Sequence, residues 1–174
     1  MFHPAYWGRD NGPDYVHQEW RYPNFHEHNE YRLKDHGKEP FVININQAAK
    51  QNNTFRTALW TGKHLQVTLM RINPREDIGL EVHHDVDQFL RIEKGQGLVQ
   101  MGENRNNLNY ERRVHDDSAI MVPAGTWHNV TNTGNNPLKL YSIYAPPEHK
   151  FGTVHRTKAE AIAAEGSYGR SSEE

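Results

Sequence analysis

The sequence predicts an all-β fold, either a sandwich or a small barrel. From residue 55 to residue 144, short β-prone runs follow one another, separated by turn signals such as GENRNN and TGNNP. In one of these runs, HLQVTLMRI, the apolar residues Leu65, Val67 and Leu69 lie two positions apart. A period of two is typical of an antiparallel strand that buries one face, so we expect this run to be half-buried.

The length and the charge of the chain limit the functions it can have. Its 174 residues predict one domain with extensions. The 20 Lys and Arg residues face 22 Asp and Glu residues, for a formal net charge of −2, so the basic surface typical of nucleic-acid binding is not expected. The absence of Cys excludes disulfides and thiolate chemistry. Since no apolar run has the length of a signal-peptide core or a membrane span, we expect a cytoplasmic protein without membrane contacts.

Residues 1–40 are expected to form an irregular arm. Val16 and Leu33 are the only branched aliphatic residues in this segment, so it cannot build its own core. Its aromatic residues include Tyr6, Trp7, Tyr15, Trp20, Tyr22, Phe25 and Tyr31. We expect these side chains to pack on the barrel or on a partner chain, and we predict a homodimer.

Residues 41–156 contain the predicted barrel. FVINI at 41–45 is a β-prone run, and Asn46 is expected to cap a short helix through QAAKQ. The predicted strands are the runs FRTALW, HLQVTLMRI, QFLRIE, GLVQM, LNYERRV, SAIMV, WHNVTN and LKLYSIY.

Residues 157–174 are predicted to form a C-terminal helix and a disordered tail. Thr157 and Glu160 have the spacing of a capping box, and Gly166 is expected to end the helix. His149 and His155 precede this helix, and no motif assigns them a role.

Side chains that can bind a metal are concentrated in GLEVHHDVDQFLRIEKGQG, residues 79–97. In an extended chain Glu81 and His83 project from the same face, because they are two residues apart. Gln88 leads the next predicted strand and shares its apolar face. Farther along the chain, MVPAGTWHNVTN contains His128 just after a Pro/Gly turn.

The second of these stretches resembles a motif of the cupin superfamily. That motif consists of Gly, five residues, Pro-x-Gly, two residues, His, three residues and Asn. It matches here from Pro123 through Gly125 and His128 to Asn132, with Asp117 at the position of the first Gly.

The first stretch resembles the other cupin motif, His-x-His, three or four residues, Glu, six residues and Gly. Counting back from Gly95 places Gln88 at the Glu position. Four spacer residues before Gln88 then place His83 and Glu81 at the two His positions. Relative to the family pattern, this exchange of residues moves the carboxylate from the Glu position, which is Gln88 here, to the first His position, which is Glu81 here.

The resemblance implies a double-stranded β-helix, the jelly-roll-like barrel of cupins, with one divalent metal ion held by Glu81, His83, Gln88 and His128. The exchange keeps the formal charge of the usual ligand set, because one carboxylate remains. Such ligands suit Mn, Fe, Zn, Ni or Co. A register with three spacer residues would place Val82 at a ligand position, and Val cannot bind a metal. The alternative is that these are ordinary polar residues of a barrel without metal.

The resemblance leaves the reaction open, since cupins include isomerases, oxygenases, decarboxylases and proteins without activity. The short single barrel is most similar to small cupins described as mannose-6-phosphate isomerase-like. The leading interpretation is therefore a sugar-phosphate isomerase with a small-molecule substrate in the barrel. The alternatives are a non-haem dioxygenase that uses Glu81, His83 and His128, and a non-catalytic binding or scaffold protein.

An isomerase also needs a base and a cationic group for phosphate, and no motif identifies either. The catalytic residues are therefore left unassigned. Candidate bases are His84, Asp85 and Asp87, near the predicted metal ligands, or a residue of the C-terminal tail. Candidate cations on or near predicted strands are Arg56, Lys63 and Arg71.

Overall fold

Two antiparallel sheets form the protein, and the computed structural model describes residues 30–168 of it. In chain order, the elements are α1 (Ile45–Gln51), β1 (Arg56–Thr61), β2 (Gln66–Ile72), β3 (Asp87–Lys94), β4 (Gln96–Gly102), β5 (Tyr110–His115), β6 (Ala119–Val122), β7 (Trp127–Asn132), β8 (Leu138–Ala145), β9 (Val154–His155) and α2 (Lys158–Tyr168). The larger sheet has the order β6-β3-β8-β2-β1-β9, and the smaller has the order β5-β4-β7. The predicted all-β barrel with a short C-terminal helix is confirmed.

The interior of the barrel is divided into an apolar and a polar part. In the apolar part, Ile72 of β2 lies opposite Leu138 of β8 in the main core cluster. Farther along the same pair of strands, Thr68 lies opposite Ser142, and Gln66 lies opposite Tyr144. Buried polar residues need partners. The polar part is therefore where a site is expected.

The outer face of β2 is also covered, so the prediction of a half-buried strand was wrong. Leu69 is 0% exposed and packs in a second cluster with Ala48 and Ala49 of α1. Alternation along the strand identifies two faces, but it does not reveal that a helix from elsewhere in the chain covers the second one.

The start of α1 differs from the prediction by two residues. Residues 41–44 form no strand, and the cap is Asn44, whose Oδ1 accepts a hydrogen bond from Gln47 N at 3.1 Å. Asn46 instead donates to Glu93 of β3. Either Asn could have capped the helix, and the contact with β3 selects the register.

The described part of the arm, residues 30–40, is irregular and packs on its own barrel. Tyr31 N donates to Gln51 Oε1 at 2.8 Å, and Tyr31 and Leu33 pack against the second cluster. Asp35 Oδ2 accepts from Thr61 Oγ1 at 2.6 Å. The arm's aromatic residues before Tyr31 lie outside the described residues, so the homodimer stays a prediction.

The start of α2 uses both side chains of the predicted capping box, but Glu160 accepts from Arg156, the residue before the cap. Glu160 N donates to Thr157 Oγ1 at 3.2 Å, and Glu160 Oε2 accepts from Arg156 N at 2.6 Å. The helix continues through Gly166, so its predicted end there was wrong. Residues 169–174, the rest of the predicted tail, lie outside the described residues.

Asp117 has the backbone conformation of the glycine that it replaces in the second motif. Its φ is 70°, in the left-handed region that Gly adopts at low cost and Asp more readily than most residues. Its carboxylate pairs with Arg91 at 2.7 Å. The departure from the motif therefore leaves the turn intact.

Within residues 30–168, no helix is both long enough and apolar enough to cross a membrane.

The two covered faces of β2 predict a strong effect of truncating Leu69. Leu69→Ala should lower the free energy of unfolding by about 3 kcal/mol, because it leaves a cavity under α1. Met121→Ala, at a side chain that is 66% exposed, should change it by less than about 0.5 kcal/mol. Chemical denaturation of both variants measures the difference. Equal stabilities would mean that α1 does not pack on β2 in solution.

Candidate metal centre

Glu81 and His128 are joined by their backbones. Glu81 N donates to His128 O at 3.1 Å, and His128 N donates to Glu81 O at 2.9 Å. This is an isolated bridge, not the longer strand that the alternation through Glu81 and His83 predicts. The next connection is from Gly125 N to His83 O at 2.7 Å. The Pro/Gly turn of the second motif is thus hydrogen-bonded directly to the first motif.

Three side chains converge in the polar part of the barrel. Glu81 Oε1 lies 3.4 Å from His83 Nε2 and 3.3 Å from His128 Nε2. The three ligand atoms all lie within 4.8 Å of one another. The side chain of His128 is 0% exposed, that of His83 9% and that of Glu81 18%.

The hydrogen bond of Nδ1 determines the tautomer of His128. Nδ1 lies 2.9 Å from the carbonyl oxygen of Thr126, which can only accept a hydrogen bond. Nδ1 therefore carries the hydrogen, and in the neutral ring Nε2 presents a lone pair towards Glu81 Oε1. A histidine held in this way is oriented for a metal ion.

His83 is held by a carboxylate. Its Nδ1 lies 3.2 Å from Glu148 Oε1. Burial lowers the pKa of His83, but hydrogen bonds to Glu148 and Glu81, together with their charges, outweigh burial and raise the pKa to about 9. Without a cation, the site thus favours a proton on His83 between two carboxylates.

Glu81 is held ionised. Burial raises its pKa, but the close contacts with the imidazoles of His128 and His83 and the charge of Arg56 outweigh burial and leave the pKa well below its ordinary value. The group is therefore a carboxylate at any ordinary pH, as metal binding requires.

These three side chains fit a metal ion. Glu81 Oε1, His83 Nε2 and His128 Nε2 are buried atoms that make no hydrogen bond of ordinary geometry within the described residues. In a tetrahedral site with bonds of about 2.1 Å, neighbouring ligand atoms lie roughly 3.4 Å apart, close to the two contacts of Glu81. A divalent ion would satisfy all three atoms at once.

Gln88, the fourth predicted ligand, lies on the inner face of β3 and is 3% exposed. Its Nε2 donates to Ser142 Oγ at 3.0 Å. Its Oε1 is buried and has no hydrogen-bond partner among the described residues. Ser142 thus takes the amide nitrogen, and the amide oxygen, which is the atom that can bind a metal, stays available.

A cavity of about 530 Å³ adjoins the site. Its lining residues are Glu81, Val82, His83, Glu148, His149, Lys150, Thr153, His155 and Ala164. The candidate bases are not among them: His84 and Asp85 are exposed, and Asp87, also exposed, accepts from Ala124 N at 2.9 Å.

Of the three candidate phosphate-binding cations, one lies close to the site. Arg56 is 1% exposed, and its charge acts on Glu81, Tyr144 and His149. Lys63 is exposed, and Arg71 lies on the outer face of β2. Of these three candidates, Arg56 is therefore the one that is buried close to the site.

Sequence reasoning did not identify Glu148 or Tyr144. Tyr144 is 0% exposed, and its ring lies edge-on to His83 and His149, with centroid distances of 5.7 and 5.0 Å. The two-residue period of β8 could have placed Tyr144 inside. Nothing local marks Glu148, because its contact is with a residue distant in sequence.

Comparisons with known proteins agree on the fold. Residues 68–144 match the family model described as a cupin domain. The chain is 64% identical over 161 residues to YrkC of Bacillus subtilis, covering 92% of this chain and 87% of that protein. A crystal structure from Bacillus halodurans is 65% identical, with a TM-score of 0.75 over 75% of this chain and 99% of that one. A Klebsiella pneumoniae protein with a double-stranded β-helix domain, 16% identical, superposes with a TM-score of 0.53 over 68% of this chain and 100% of that one.

Because His83 points into the site and His84 is exposed, we predict that only the removal of His83 weakens metal binding. His83→Ala should weaken metal binding roughly tenfold or more, because it removes an inward Nε2 and leaves Glu148 unpaired. His84→Ala, at an exposed side chain, should leave it unchanged. Metal content after dialysis, measured by mass spectrometry, separates the two. A loss in the His84 variant with retention in the His83 variant would show that the register is wrong.

Proposed function

Because the chain belongs to the cupin superfamily and its barrel gathers two imidazoles and a carboxylate, we propose that it binds one divalent metal ion through Glu81, His83, Gln88 and His128. One observation carries the proposal: the Nε2 atoms of both histidines face the same oxygen of an ionised, largely buried carboxylate. Two lone pairs and a carboxylate oxygen at 3.3 to 3.4 Å repel one another unless a cation or a proton lies between them.

The ligand set favours oxygen-dependent chemistry, the second of the interpretations offered by the sequence. Two imidazoles and one carboxylate form the set that non-haem Fe(II) oxygenases use. When bound, the ion supplies a Lewis acid and a place for dioxygen and substrate to meet. The chain's own part is to hold His83 through Glu148, hold His128 through Thr126, and keep bulk water away from the buried Nε2 of His128.

The sugar-phosphate isomerase, which was the leading interpretation of the sequence, becomes the second candidate, and the position of Arg56 is the observation that favours it. A buried guanidinium near Glu81, with Lys150 lining the cavity, provides positive charge for a phosphate. The proposed bases weigh against it, since His84, Asp85 and Asp87 are exposed and do not line the cavity.

Metal content and oxygen consumption distinguish these functions. Protein loaded separately with Fe, Mn and Zn would be offered a panel of small acids and sugar phosphates. Oxygen uptake that requires Fe and is lost in His128→Ala supports the oxygenase. Aldose–ketose interconversion without oxygen uptake would support the isomerase. Metal binding without either activity would favour a binding or scaffold protein, and absence of metal binding would overturn the proposal.

The role of Gln88 predicts the effect of two substitutions on metal affinity. Gln88→Glu should bind metal as tightly as the wild type or more tightly, because a carboxylate oxygen adds negative charge to the site. Gln88→Leu should bind metal roughly tenfold more weakly or worse, because no oxygen remains. Calorimetric titration with Zn²⁺ measures both.

Ser142→Ala is the matched control for the Gln88 variants. It removes the partner of Gln88 Nε2 and leaves Oε1 in place, so it should have the smallest effect on metal affinity of the substitutions at this corner. If Gln88→Glu loses its metal, Gln88 is not a ligand.

A further inference from the structure

The cavity beside the metal centre contains a histidine that the proposed metal site does not use. His149 lies in the segment between β8 and β9 and lines the same cavity as Glu81 and His83. Its Nε2 is buried and has no hydrogen-bond partner among residues 30–168. A buried polar atom of this kind is costly unless a ligand or a water molecule satisfies it.

The position of His149 is fixed by a buried glutamine. Gln66, 0% exposed on the inner face of β2, uses both ends of its amide on the backbone of this one residue. Gln66 Nε2 donates to His149 O at 2.8 Å, and Gln66 Oε1 accepts from His149 N at 2.9 Å. The ring of His149 then lies edge-on to Tyr144, which lies edge-on to His83. The imidazole is thus held beside the metal centre before any ligand arrives.

The charge around His149 indicates the class of ligand. Burial, followed by the charge of Arg56, lowers the pKa of His149 to about 3, so its ring is neutral at ordinary pH and has one N–H to donate. Arg56 and Lys150 add positive charge near and along the cavity. With a divalent ion bound, the ion, Arg56 and Lys150 together carry more charge than the carboxylates of Glu81 and Glu148, counted over the described residues at this cavity. This excess of positive charge favours an anionic ligand.

We propose that the cavity binds a small molecule carrying an oxyanion, either a carboxylate or a phosphate, and that Nε2 of His149 hydrogen-bonds to it. The inference rests on the proposed metal site for part of the positive charge. In this proposal His149 binds the oxyanion and does not bind the metal. The two proposals can therefore be tested separately.

The test uses the full chain and three variants. His149→Phe keeps a ring against Tyr144 and the backbone held by Gln66, but it has no nitrogen. His149→Gln carries an amide near the position of Nε2. His64→Phe, at an exposed residue outside the cavity lining, is the matched control. Each protein, with and without Zn²⁺, is titrated calorimetrically with pyruvate, glycolate and inorganic phosphate.

We expect at least one probe to bind wild-type protein, and its Kd to rise about 10- to 100-fold in His149→Phe, the loss typical of a hydrogen bond to a charged group. His149→Gln should recover most of this loss, and His64→Phe should match the wild type. The Zn²⁺ affinity of all four proteins should be equal. In ¹⁵N spectra, the Nε2 resonance of His149 should shift when the probe is added. Binding of pyruvate or glycolate but not phosphate identifies a carboxylate ligand, and the reverse identifies a phosphate.

Two results would overturn the inference: no probe binds wild-type protein in either state, or His149→Phe binds as tightly as the wild type. A protein that binds no Zn²⁺ overturns the metal proposal instead. In that case, probe binding to the metal-free protein that is still lost in His149→Phe would sustain the assignment of His149.

Discussion

The reciprocal backbone hydrogen bonds between Glu81 and His128 are the constraint on which the site depends. They place a carboxylate beside an imidazole from a distant part of the chain, and the hydrogen bond from Gly125 N to His83 O fixes the third side chain to the same turn. Because backbone hydrogen bonds fix the main chain of all three residues, only their side-chain torsions remain to be set. The ligand geometry is therefore a property of the barrel and does not need metal to assemble it.

A barrel with a polar interior at one end must obtain its stability elsewhere. The apolar end supplies one core, with residues such as Ile72, Leu138 and Leu140. The second cluster, where α1 packs against the outer face of the large sheet, supplies another. Burial of both faces of β2 offsets the cost of Arg56, Gln66 and other polar groups that are buried near the site. Helix α1 lies outside the site, but its packing thus contributes stability that offsets the cost of the polar groups buried there.

The sequence predicted most of the strands, because alternation and turn residues are local signals. The resemblance to the cupin motifs implied the barrel and the grouping of Glu81, His83 and His128. It did not predict which Asn caps α1, since the choice between Asn44 and Asn46 depends on the contact of Asn46 with Glu93. The burial of Arg56 and the contact of Glu148 with His83 were missed for the same reason. Both are tertiary contacts, and a single sequence carries no local mark of them.

The shift of the carboxylate from position 88 to position 81, relative to the cupin motif, has a physical basis in the surroundings of the two positions. At position 81 a carboxylate faces two imidazoles, with Arg56 close enough to lower its pKa. At position 88 the side chain lies beside Ser142, and its amide nitrogen donates to that hydroxyl. A carboxylate at position 88 would lose this donor. The carboxylate is therefore at position 81, beside the two imidazoles and near Arg56. The neutral amide is at position 88, where its nitrogen donates to Ser142 and its oxygen has no hydrogen-bond partner among the described residues.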